Sequence, residues 1–178
     1  MWIMKFRLLL LDANVVIYLY ELGIWDSFIS QCQVTLTQTV VDESDYWVDE
    51  SGVRHAIDLQ ADIQKGKINC IEVSLEILND FLKKYGPVYL ERMDPGEAES
   101  LAFLFHNEDE WLFTSGDEIV FKVLGAVGRF EQGISLEEIL QKIGLSRSGL
   151  RVQFTKQFRL NVTKKGQFDG IAGFEGGK

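Results

Sequence analysis

The stretch Phe6-Arg-Leu-Leu-Leu-Leu-Asp12-Ala-Asn14 decides how the rest of the chain is read. Phe6 to Leu11 is apolar except at Arg7, as expected of a strand covered on both faces of a parallel sheet. Asp12 and Asn14 end the run, and Val15 to Leu22 continues as a buried helix stopped by Gly23. Lys5 and Arg7 ahead of apolar residues superficially suggest a secretory leader. The polar pair inside the run and the lack of a small-residue cleavage site argue against one. A charge at that position also spoils a membrane span, and no stretch of 18 apolar residues exists elsewhere. A soluble, cytoplasmic protein with no membrane contact is the expectation.

Working outward, Trp25–Gln31 is expected as a short helix and Gln33–Thr37 as a second strand. Thr39–Trp47 is expected as a helix carrying Glu43, and His55–Lys65 as an amphipathic helix closed by Gly66. Ile68–Val73 suits a strand, and Ser74 caps a helix through Tyr85 that Gly86-Pro87 ends. Asp94-Pro-Gly-Glu97 is a strong helix start, with Asp as cap, Pro at the first helical position and Glu three residues after the cap. That helix reaches about Asn107. Trp111–Thr114 suits a strand, Ser115-Gly-Asp117 a turn and Glu118–Leu124 a helix. Ser135-Leu-Glu-Glu138 opens another capped helix that stops at Gly144. Strands alternating with helices imply an α/β fold with a mainly parallel sheet.

Beyond residue 145 the pattern is ambiguous. Leu150, Val152, Phe154, Phe158, Leu160 and Val162 occupy even positions, which favours a strand or hairpin, yet Leu150, Phe154 and Phe158 also fit a helical stripe. Residues 166–178 contain five glycines and are expected to fray.

The chain of 178 residues suits one domain with an appendage, divided here as 1–128 and 129–178. Cys32 and Cys70 form no Cys-x-x-Cys or Cys/His cluster, which excludes a thiolate zinc site and fits a reducing compartment. The net charge of -9 is unevenly spread: residues 1–128 carry 9 basic and 22 acidic side chains, residues 129–178 carry 9 and 5. An acidic body with a basic tail is the pattern to explain.

In a parallel α/β sheet, ligands collect outside the carboxyl ends of the strands. Asp12 and Asp117 stand at two such ends, Glu97 and Glu99 open a helix, and Glu43 lies inside one. Carboxylates gathered from distant segments repel unless protons or cations neutralise them, and hard divalent cations take oxygen ligands. Each acid also has a plainer role. Asp12 and Asp117 cap helices, Glu97 completes a capping box, and Glu43 belongs to an acid-rich surface with Asp42, Asp45, Asp49 and Glu50. Spacing alone supplies candidates and leaves both readings open.

In order and spacing, four segments resemble the PIN-domain family, metal-dependent ribonucleases that include many prokaryotic toxin–antitoxin toxins. They are Leu8-Leu-Leu-Leu-Asp12-Ala-Asn14, Thr39-Val-Val-Asp-Glu43, Asp94-Pro-Gly-Glu97-Ala-Glu99-Ser-Leu-Ala102 and Leu112-Phe-Thr-Ser115-Gly-Asp117. The resemblance covers residues 6–125 and implies a three-layer α/β/α fold with a C-terminal extension. It makes Asp12, Glu43, Glu97 and Asp117 the catalytic acids and metal ligands. Asn14 and Ser115 support them, and Glu99 competes with Glu97 as the third acid. A basic or polar residue usually follows the fourth acid, and Glu118 stands there in this chain. The reaction that the resemblance implies is hydrolysis of an RNA phosphodiester by water activated at one or two Mg²⁺ or Mn²⁺ ions. The four carboxyl groups then converge within a few ångströms.

The basic tail suits phosphate contact, although its phenylalanines better suit packing, a homodimer contact or an antitoxin protein. A catalytically weak or inactive PIN-like binding or scaffold protein is the alternative. A haloacid-dehalogenase-type phosphatase ranks last, because its signature needs a second acid where Asn14 stands. His55 and His106 are expected to be structural or exposed.

Overall fold

The computed structural model describes residues 6–175. Its first half contains β1 (Phe6–Leu11), α1 (Ala13–Glu21), α2 (Trp25–Gln31), β2 (Cys32–Thr37) and α3 (Gln38–Glu43). A hairpin of β3 (Tyr46–Val48) and β4 (Arg54–Ala56) comes next, then α4 (Leu59–Gln64), β5 (Asn69–Ile71) and α5 (Leu75–Tyr89). The second half contains α6 (Pro95–His106), β6 (Leu112–Thr114), α7 (Glu118–Ala126), α8 (Leu136–Lys142) and α9 (Lys156–Glu175).

The main sheet is entirely parallel, in the order β5-β2-β1-β6. Because side chains alternate across a strand, β1 feeds two cores. Leu9 and Leu11 join residues of α1, α2 and α8, whereas Leu10 joins Phe113 and residues of α5, α6 and α7. This is a three-layer α/β/α fold, and the mostly apolar run at the head of the chain is one of its two inner strands. From β1 the chain winds outward through β2 to β5, then returns to pair β6 on the other flank of β1. The strand order therefore reverses between β1 and β6, and the crevice at their carboxyl ends is where such sheets bind ligands.

Residues 129–154 join the same cores: Ile134, Leu136, Ile139, Leu140 and Phe154 are buried among side chains of α1 and α2. Beyond them α9 runs alongside α7 at glycine contact. A methyl built on Gly166 would lie 2.0 Å from the Lys122 carbonyl oxygen, and one on Gly125 2.2 Å from that of Thr163. Gly170 meets the Ala126 carbonyl in the same way, at 2.3 Å.

Four sequence expectations are corrected. The helix expected over Thr39–Trp47 ends at Glu43, where the Ser44 hydroxyl donates back to the Val40 carbonyl (2.7 Å). Tyr46-Trp-Val48 then pairs with Arg54-His-Ala56, so His55 lies in a strand and the helix expected over His55–Lys65 begins only at Leu59. The turn between these strands is tied by Asp49, whose Oδ1 accepts from the Ser51 and Val53 amides, with Gly52 at φ +83°. Gly86-Pro87 does not end α5; the proline falls in its last turns and α5 reaches Tyr89. Residues 166–175 belong to α9 instead of fraying, and the segment beyond residue 155, for which the period left strand and helix open, is helical; residues 176–178 lie outside the described residues. The even-numbered alternation does not mark a buried face, since Val152 is 72 % exposed. Among the described residues, no helix is long and apolar enough to cross a membrane.

Candidate metal centre

Asp12 follows β1 directly and its amide donates to the Thr114 carbonyl of β6 (3.2 Å), which pins it in the crevice. It is 3 % exposed. Its Oδ1 accepts from the Ala13 amide (2.7 Å), while Oδ2 accepts from the Ser115 hydroxyl (3.0 Å) and the Asn14 side-chain amide (3.2 Å). Ser115 Oγ in turn accepts from the Asp117 amide (2.9 Å), so one hydroxyl links the first and fourth acids. Asp117 Oδ1 takes the Ile119 amide (3.0 Å) and caps α7, as its plainer reading requires.

Glu97 reaches the crevice from the first turn of α6 and is 1 % exposed. Capping and ligation do not compete for the whole carboxylate: Oε2 accepts from the Asp94 amide (3.0 Å), and Oε1 is buried with no hydrogen-bond partner. Glu99, two residues on, also has a buried carboxylate oxygen without a hydrogen-bond partner, and its charge acts on Glu43 and on Cys70. Glu43 ends α3, where Gly96 lets α6 approach. A methyl on Gly96 would lie 2.6 Å from Glu43 Oε2, and the Gly96 amide hydrogen-bonds to that carboxylate.

Burial pushes the Asp12 carboxyl up to about 6, with the charges of Glu43 and Asp117 adding and the Ser115 and Ala13 hydrogen bonds opposing. Burial pushes Glu97 further, to about 8, with the charges of Asp12, Asp117 and Asp94 adding to it. The Glu43 carboxyl is also raised, first by desolvation and then by Asp94, Glu99 and Asp42. Acids that hold protons this far above their ordinary range are characteristic of functional sites.

The structure thus brings Asp12, Asn14, Ser115 and Asp117 into one hydrogen-bonded unit, with Glu97 and Glu43 inside its electrostatic reach. They do not form a ready ligand sphere. Among the described residues, no three or more His, Cys, Asp or Glu side chains stand close enough to hold an ion. Uncompensated carboxylates repel, so an open spacing is their expected arrangement without a cation. The donor set nonetheless suits a hard divalent ion, being all oxygen with one buried carboxylate oxygen unclaimed.

Sequence reasoning gave no role to Gly96 and Gly116 and only a packing or partner role to Phe154, and all three shape this crevice. A methyl on Gly116 would lie 2.7 Å from the Phe154 ring, which also stacks on Tyr18 with centroids 4.3 Å apart. The glycines stood inside the quoted motifs, where their signal was a small residue beside an acid. Nothing local marks Phe154.

The raised carboxyls make stability depend on pH. Both acids have folded-state pKa values above their unfolded values, so the folded state holds protons that the unfolded state has released. Without divalent cations, stability should be greatest below about pH 4 as far as these groups are concerned, fall as pH rises through 6 and 8, and then level off. The two-unit rise at Asp12 alone corresponds to on the order of 3 kcal/mol. Thermal melts in EDTA should show a lower midpoint at about pH 8 than at about pH 5, and Glu97→Gln should flatten the difference. Identical slopes in the two proteins would show that Glu97 carries no buried charge penalty.

No protein-family model matches the chain, and no curated protein sequence matches it.

Proposed function

We propose that the protein is a PIN-type ribonuclease that hydrolyses RNA phosphodiester bonds with Mg²⁺ or Mn²⁺. The observation that supports this reading best is the Asp12–Ser115–Asp117 unit at the strand-order reversal, faced by a buried Glu97 with a free oxygen. Asp12, Glu43, Glu97 and Asp117 would hold the cation. A divalent ion in such a site activates water and stabilises charge on the attacked phosphate and the leaving oxygen. Asn14 and Ser115 orient Asp12, and Ser115 fixes the Asp117 backbone. Glu97, protonated near neutral pH in the metal-free protein, would give up its proton when the cation binds.

The absence of any Cys-x-x-Cys or Cys/His cluster around Cys32 and Cys70 is consistent with the cytoplasm. An antitoxin protein or a second copy of the chain is a candidate partner on the same resemblance.

The open spacing of the carboxylates favours a second reading, a PIN-like binding protein without activity. One experiment separates the two. Single-stranded RNA incubated with Mn²⁺ or Mg²⁺ should be cleaved, with EDTA abolishing cleavage, and the same ions should raise the melting temperature because they bind only the folded state. A hundredfold excess of metal over its dissociation constant stabilises by about 2.7 kcal/mol. No cleavage and no shift would discard the nuclease. A shift without cleavage would favour the binding protein.

A further inference from the structure

A cleft of about 730 Å³ opens beside α1, between its last turn, the β3–β4 hairpin and the segment around Arg151. Three distant parts of the chain meet there, and its size lies within the range of small-molecule sites. One wall is the indole of Trp47, backed by the His55 ring at 4.4 Å with an interplanar angle of 19°. His55 is held in turn by Asp49, with Nε2 2.8 Å from Oδ2. Leu22 and Val48 give the floor apolar area.

Arg151 also lines the cleft and is held by three contacts. Its amide donates to the Tyr18 hydroxyl (3.1 Å), its guanidinium lies over the Tyr18 ring at 4.7 Å, and it pairs with Glu21 at 2.7 Å. The charges in the cleft are largely spent on one another: Glu21 on Arg151, and Asp49 on His55 and the turn amides. Glu50 at the rim remains as an exposed acceptor. A rigid flat ring, a pre-ordered guanidinium and the exposed Glu50 carboxylate suit a planar, neutral heterocycle bearing N–H groups. They suit a bare phosphate poorly.

The cleft is also joined to the acid cluster. Phe154 touches the Gly116 turn and stacks on Tyr18, and Tyr18 carries Arg151. Along α1, Tyr18 to Leu22 lie roughly 9 to 15 Å from Asp12 at 1.5 Å per residue. A strand whose scissile phosphate lay at Asp12 would bring a neighbouring base to Trp47, not the base of the cleaved nucleotide.

We infer that the Trp47–Arg151 cleft binds one unpaired nucleobase of the RNA, next to the scissile position, and so selects single-stranded substrate. The inference rests on the ribonuclease reading. Base stacking on an aromatic side chain is sequence-tolerant and strong enough to set affinity, while Glu50 supplies the acceptor that distinguishes bases by their amino groups.

The test is binding of a short fluorescein-labelled single-stranded RNA in EDTA, followed by anisotropy, beside titration of adenosine and guanosine monophosphates followed by tryptophan quenching. Trp47→Ala should weaken RNA binding roughly tenfold or more, and Trp47→Phe should restore most of it. Arg151→Ala, which leaves the hairpin intact, should weaken binding as well, and a duplex of the same sequence should bind less tightly than the single strand. Equal affinity in Trp47→Ala and the unaltered protein would overturn the inference, and if metal-dependent cleavage persisted the ribonuclease reading would stand without it. Nucleotide quenching in a protein that cleaves no RNA would keep the base site and remove the nuclease. Tight binding of an oligoarginine peptide with no response to nucleotides would mark a protein-docking cleft and overturn the proposal.

Discussion

Replacing Asp12 by Asn should lower metal-dependent RNA cleavage by roughly a thousandfold, the loss expected when several kcal/mol of charge stabilisation disappear. The substitution is nearly isosteric, so the backbone has little reason to move. The asparagine oxygen can still accept the Ala13 amide, which now meets Oδ1 at 2.7 Å. Its amide would face the Ser115 hydroxyl, which can turn its proton away because Oγ already accepts the Asp117 amide. Asn14 is exposed and free to swing.

The same change removes a buried carboxyl whose ionisation is disfavoured, so the metal-free variant should melt no lower than the unaltered protein above about pH 6. Inactivity with undiminished stability is the signature of a ligand rather than a structural acid. Full cleavage by Asp12→Asn would remove the metal-dependent mechanism at this acid cluster, and a large drop in melting temperature would recast Asp12 as a structural helix cap.

The second large effect lies far from the acids. Gly166→Ala should destabilise the protein by about 3 kcal/mol, the upper part of the range for overpacking a well-filled interface. In an isolated helix the same substitution stabilises by roughly 1 kcal/mol, because glycine is the poorer helix former. Here the sign reverses: the new methyl would lie 2.0 Å from a backbone oxygen of α7, and backbone cannot swing aside as a side chain can. Either α9 lifts from α7 or α7 shifts against the sheet. For a chain of this size the loss corresponds to a fall in melting temperature of about 6 to 12 °C. Lys164→Ala, an exposed position in the same helix, should stay within about 0.5 kcal/mol of the parent. A stabilised Gly166→Ala protein would mean that the two helices do not approach as closely as Gly125, Gly166 and Gly170 require.

That glycine contact also explains what the sequence could and could not reveal. Hydrophobic pattern finds elements that bury large side chains, and β1, α2, β2 and α6 were legible for that reason, with Asp94 and Glu97 adding a cap signal that survives in the folded chain. Helix α9 buries little of that kind. Val162 and Thr163 are enclosed, but its closest contacts are glycine to carbonyl, which no apolar period records. The β3–β4 hairpin was missed for a different reason. The helix expected from Thr39 was carried on through Tyr46 and Trp47, although Asp49-Glu-Ser-Gly52 held a turn signal.

The site was legible residue by residue but not as geometry. Strand ends placed Asp12 and Asp117, whereas the partition of Glu97 between a cap and a free oxygen depends on how α6 is rotated. The packing of Phe154 was legible but its place beside the acids was not, because its partner is a glycine some forty residues earlier in the chain.

The contact between Phe154 and Gly116 sets an order of events during synthesis. Chains fold from the N-terminus as they are made, at about 5 to 20 residues per second. All four acids have therefore been added before Phe154 exists, and until it arrives the Ser115-Gly116-Asp117 turn lacks the ring that covers it and Tyr18 lacks its stacking partner. The last piece of the crevice to be made is a phenylalanine with no chemistry of its own, so a nascent chain can hold every reactive group and still be unfinished as a site.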